Sequence, residues 1–112
     1  MVSRVAWAAT EAACSRAIAE ASFWLGELYF DLNKSGLSYS AYEAATKAGE
    51  ELEKHTGKSP EWLTDTYYKL GQVYERLNQP DNAKKAYEAA VQKFPGPPSA
   101  LSSQALARLN RR

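Results

Sequence analysis

The sequence predicts an all-α domain of antiparallel helical neighbours, and three observations carry that prediction. No stretch alternates apolar and polar residues as a strand would. Apolar and small residues recur at three- and four-residue spacing over long segments. The breaks "NKSG", "HTGKSP", "NQPDN" and "PGPP" divide the chain into five such segments with short connections.

The first helix is expected over roughly 3–33, because no Gly or Pro occurs before Gly26. Trp7, Cys14, Ile18, Ala21, Leu25, Leu28 and Leu32 form its apolar row, and Gly36 is the expected left-handed stop. Ser40 and Glu43 have capping-box spacing for the second helix. Ala41, Ala44, Ala45 and Ala48 continue it, and Gly57 ends it. In "SPEW", Ser59 is the expected N-cap, with Pro60 in the first turn and Glu61 at the positive end of the dipole. This third helix runs to about Leu77. The fourth spans about 81–94. Ser99 is the expected cap of a last helix ending near Asn110.

Bulk properties exclude several functions. The 112 residues suit one domain with a modest core, and the net charge of +1 gives no general attraction to nucleic acid or an anionic membrane. Charge is uneven: residues 1–56 carry 5 Lys/Arg against 8 Asp/Glu, and residues 57–112 carry 9 against 5. Such halves could meet head to tail between copies, or simply be solvated. Cys14 is the only cysteine, so no internal disulfide forms, and its Ala-rich setting reads as a small buried filler. No apolar run reaches membrane-spanning length, and Glu11 and Arg16 interrupt any signal-peptide core. A cytoplasmic protein is the resulting expectation.

The same residues offer little chemistry. His55 is the single histidine, and it reads as a dipole-compensating or solvated group. One His and one Cys far apart make neither a metal site nor an activated thiol. Glu50, Glu51 and Glu53 read as a solvated face. The glycines are isolated and build no phosphate cradle. Lys84, Lys85, Arg111 and Arg112 lack an interleaved aromatic platform. The expectation is a non-enzyme with no cofactor and no metal.

What remains is a motif. Tyr67, Leu70, Gly71, Tyr74, Ala83, Tyr87, Ala90 and Pro95 fall at fixed spacing across two helices. Small residues let the helices approach and large rings fill around the contact. This spacing resembles the tetratricopeptide repeat at every position, with Tyr67 in place of the usual Trp. Moving back 45 residues, Leu25, Gly26, Tyr29, Tyr42 and Ala45 align again. Ser22, Ser38 and Glu50 stand where an aromatic, an Ala and the Pro belong. The usual period is about 34, so the first repeat is elongated, with its extra residues in "AGEELEKH" and "TGKSPEW".

The resemblance implies a right-handed stack of antiparallel helix hairpins, an α-solenoid fragment. The expected division is an N-terminal helical extension (1–18), an elongated repeat (19–63), a second repeat (64–97) and a capping helix (98–112). Leu101, Leu106 and Leu109 are expected to lie on Tyr87 and Val91. Ser102, Gln104, Arg108, Arg111 and Arg112 are expected to stay wet.

By family position, the concave binding face would carry Phe23, Glu27, Phe30 and Asp31 from the first repeat. Tyr68, Gln72, Glu75 and Arg76 would come from the second. That face would be aromatic and mostly acidic, suited to a basic or apolar partner segment. Phe23 and Glu27 replace the Lys and Asn with which one variant of the family grips a C-terminal carboxylate, so that clamp is not expected. The implied function is non-catalytic binding of a protein partner, as an adaptor. The alternatives are a homo-oligomerising scaffold, in which a second copy covers Phe23 and Phe30, or a small chaperone for one partner. The chain could equally be a piece of a longer repeat array.

Overall fold

The computed structural model describes residues 4–111, with side chains from Cys14 onward, so Trp7 and Arg112 lie outside the described side chains. The chain forms α1 (Arg4–Asp31), α2 (Ser35–Thr56), α3 (Trp62–Arg76) and α4 (Pro80–Lys93). A 3-10 turn (Pro97–Ser99) leads into α5 (Ala100–Asn110). Helices α1 and α2 make one hairpin and α3 and α4 the second. Helix α2 packs on α3, and α5 closes the far end against α4. Among the described residues there is no strand, and no helix is long and apolar enough to cross a membrane.

Both hairpins close by the same device. A Cβ at Gly71 would stand 2.4 Å from the Tyr87 ring, and one at Gly26 would stand 2.7 Å from the Tyr42 ring. The absent side chains are what let Tyr42 and Tyr87 become fully buried. Ser38, at the position of the missing alanine, is equally buried, and its hydroxyl donates to the Gly26 carbonyl at 3.1 Å. A polar atom is thereby tolerated at the crossing. A third glycine performs this role between hairpins: a Cβ at Gly49 would meet Leu63 at 2.7 Å and Trp62 at 3.0 Å.

Helix α2 has 22 residues against 14 in α4, and the extra turns have partners. The Tyr67 hydroxyl donates to Glu50 Oε1 at 2.9 Å. Glu53 accepts from Ser59 and pairs with Lys93 at 3.4 Å. Two members of the acidic run expected to be a solvated face thus tie α2 to the second hairpin.

Several expectations need correction. Gly36 lies inside α2, and Asn33 (φ 60°) takes the left-handed position instead; a short polar residue tolerates that conformation. Ser40 caps nothing: it is interior to α2, and its hydroxyl donates to the Gly36 carbonyl. Ser59 turns back to Glu53 rather than capping α3, which starts at Trp62. Ser99 makes no side-chain cap; its hydroxyl donates to the Gly96 carbonyl. On α5, Leu109 is buried and Leu106 packs on the Tyr87 cluster, but Leu101 is exposed and Ser102 is buried. Cys14 is exposed, not a buried filler. The spacing of α1 does not specify which face it buries. Its regular apolar row, Ile18, Ala21, Leu25, Leu28 and Leu32, faces away from the hairpin and is exposed, while Ala19 and Gly26 are buried.

Candidate functional site

The two hairpins meet along a groove at the C-terminal ends of α1 and α3. Phe30, Gln72, Glu75, Arg76, Asn78, Pro80 and Leu109 line a space of about 420 Å³. Helix α1 delivers Phe30 on its last turn. Helix α3 delivers Gln72, Glu75 and Arg76 over one turn, at positions that helical geometry holds close together. Asn78 (φ 61°) turns the chain sharply, so Pro80 starts α4 at the groove edge.

Arg76 joins the hairpins. Its guanidinium carbon lies 3.6 Å from the centroid of the Phe30 ring, and its Nη1 donates to the Phe30 carbonyl at 3.1 Å. A stacked cation of this kind contributes about 1 kcal/mol at an exposed site. Lys69 Nζ also approaches the Phe30 ring, at 5.0 Å.

The carboxylates of the site are already engaged. Glu27 accepts from the Tyr42 hydroxyl at 2.7 Å and lies 3.7 Å from Lys69. Glu75 accepts from the Tyr87 hydroxyl at 2.6 Å and from Arg108 at 2.8 Å. Burial first, then the hydrogen bond to its glutamate, pushes each phenol well above the ordinary tyrosine range. Both tyrosines therefore stay neutral donors at any physiological pH. Arg108, expected to be merely wet, is the cation of the second of these clusters.

Of the residues read from the sequence, Phe30, Gln72, Glu75 and Arg76 are brought together in the groove. Glu27 lies behind it on Tyr42, and Asp31 is exposed. Phe23 and Tyr68 are not at the groove. Phe23 packs edge-on against Tyr42, ring centroids 6.0 Å apart, and against Trp24 at 5.6 Å. Tyr68 packs on Tyr87 at 5.9 Å in the cluster that α5 closes with Leu109. The capping helix contributes Ala105 and Leu109 to that cluster, and Tyr68 is left partly buried.

Asn78, Pro80 and Leu109 carry no mark of a site in the sequence. The "NQP" break signals a turn but not what it faces, and Leu109 reads as a capping residue. The amide of Gln72 donates to the Tyr68 hydroxyl at 2.9 Å, while its Oε1 is buried without a donor from the protein. Among the described residues, no group of His, Cys, Asp and Glu could hold a metal ion.

Comparison with protein families gives two matches, both to models described as tetratricopeptide repeat, over residues 19–48 and 64–109. Comparison with curated proteins and with solved structures gives no match.

Proposed function

The chain belongs to the tetratricopeptide repeat family, and on that premise we propose that it is a non-catalytic adaptor that holds an extended segment of a partner protein in the groove at Phe30 and Arg76. Repeats of this family generally mediate protein–protein interaction, through the concave surface that their stacking creates. The observation that carries the proposal is the convergence of Phe30, Gln72, Glu75 and Arg76, from two hairpins, on one open groove.

The groove's chemistry narrows the partner. Phe30 and Pro80 offer apolar surface for one anchoring side chain. Lys69 and Arg108 neutralise Glu27 and Glu75. The apolar half of the expected partner chemistry therefore supports the proposal, and the basic half rests on exposed Asp31.

Selection of binders from a displayed peptide library, followed by calorimetry on the variants, tests this. Selected peptides should carry a large apolar residue, and Phe30→Ala and Arg76→Ala should each weaken them at least about tenfold, the factor equal to 1.4 kcal/mol. Peptides that bind both variants as tightly as the parent would place recognition elsewhere.

A further inference from the structure

Helix α1 has two faces, and the hairpin uses only one. Cys14, Ile18, Ala21, Leu25, Leu28 and Leu32 follow one another at intervals of 4, 3, 4, 3 and 4 residues, and all six are exposed. The four larger aliphatic members are 45–56% exposed, and Trp24 beside them is 68% exposed. A strict 3.5-residue period is the seam of a coiled coil, narrower than the stripe with which a helix beds onto a globular core. The core-facing side of α1 is a different stripe, Ala19, Phe23, Gly26 and Phe30, with Gly26 at the crossing and the two rings packed on the core beside it.

We propose that a second copy of this chain covers the seam, α1 against α1, in a two-fold dimer. Three observations commit the surface to that occupant. First, a heptad seam is self-complementary: an identical helix offers the knobs and holes that this one needs. Second, the flanking positions hold Ser15, Ala17, Ser22, Trp24 and Tyr29, with Asp31 alone charged at the end. Two identical helices therefore meet without like-charge rows, and no charge pattern selects a different helix. Third, the area is adequate. The seam with Trp24 exposes roughly 500 Å² of apolar surface, the upper range of what a monomer leaves bare. Two copies together would bury about 1,000 Å², the lower bound of a specific interface. The seam shares no residue with the groove, so the dimer stands or falls independently of partner binding.

Sedimentation of the full chain in reducing buffer, from micromolar to submillimolar concentration, tests the proposal. The expected result is a reversible dimer that Leu25→Glu and Leu28→Glu each weaken at least about tenfold, with helicity by circular dichroism unchanged. Leu101→Glu, on an equally exposed leucine of α5, should leave the dimer intact. A chain that is monomeric throughout overturns the proposal, as does a dimer indifferent to the two α1 variants. Oxidation supplies a second arm. Parallel helices join through Cys14 itself, and antiparallel ones join Cys14 to the introduced thiol of Leu32→Cys. A dimer that neither chain cross-links overturns α1 pairing.

Discussion

A methyl group at Gly71 would press on the Tyr87 ring, whose hydroxyl is fixed on Glu75. The ring cannot step aside without leaving both its cavity and its acceptor. Gly71→Ala should therefore destabilise the fold by about 1–3 kcal/mol. Gly36 lies inside the first turn of α2, and a methyl group there would meet nothing within 4 Å. It should tolerate alanine and gain about 0.5–1 kcal/mol from reduced backbone freedom. Urea denaturation midpoints of the two variants check the contrast. The tyrosine–glutamate pairs give a pH dependence. Tyr42, Tyr67 and Tyr87 are buried donors to Glu27, Glu50 and Glu75, and burial, then the hydrogen bond, raises each phenol above its ordinary value. A raised folded-state value means that the stabilisation is complete below the unfolded value, about 10. It is lost as pH climbs beyond that. Tyrosinate absorbance should thus rise together with loss of helicity in alkali. Independent ionisation of all seven tyrosines near pH 10 with the helices intact would contradict it.

At the scale of the element, the helices are legible in the sequence and their orientation is less so. Gly26, Gly71, Tyr42 and Tyr87 can be placed because a repeat fixes both their spacing and their role. The α1 row at Ile18, Leu25, Leu28 and Leu32 is legible as a periodicity, but a period does not say which face turns inward. Gly26 sets the inner face, because a residue without a side chain is what lets the Tyr42 ring approach, and Phe23 and Phe30 pack on the core beside it. The side-chain caps expected at Ser40, Ser59 and Ser99 do not form, although Ser99 does directly precede α5: each hydroxyl donates to a nearby oxygen, of Gly36, Glu53 or Gly96, instead of accepting from a helix N–H. For α5, the structure divides two leucines that look alike in sequence. Leu109 is 4% exposed against Ala83, Tyr87 and Ala105, whereas Leu101 is 56% exposed. Leu109→Ala should cost about 2–4 kcal/mol, and Leu101→Ala no more than about 0.5 kcal/mol. Thermal unfolding of both variants checks the difference.

For the whole molecule, two hairpins and a capping helix make a short stack, and Arg76 on Phe30 bridges them where the groove opens. Half of the candidate site is legible in the sequence because family position predicts which α1 and α3 side chains point to the concave side. The other half depends on tertiary neighbours that no local spacing encodes. Tyr68 packs on the cluster that α5 completes and is partly buried, Phe23 turns edge-on to Tyr42, and Lys69 and Arg108 offset the expected acidity. The central claim is that the bridged groove receives the partner segment. It is tested most directly by nuclear magnetic resonance of the isotope-labelled chain titrated with a selected peptide. The Gln72 side-chain amide, the Arg76 guanidinium and the backbone from Asn78 to Pro80 should shift together and saturate at one peptide per chain. Shifts confined to the exposed row of α1, or to the outer surface of α5, with these groups unmoved, would contradict it.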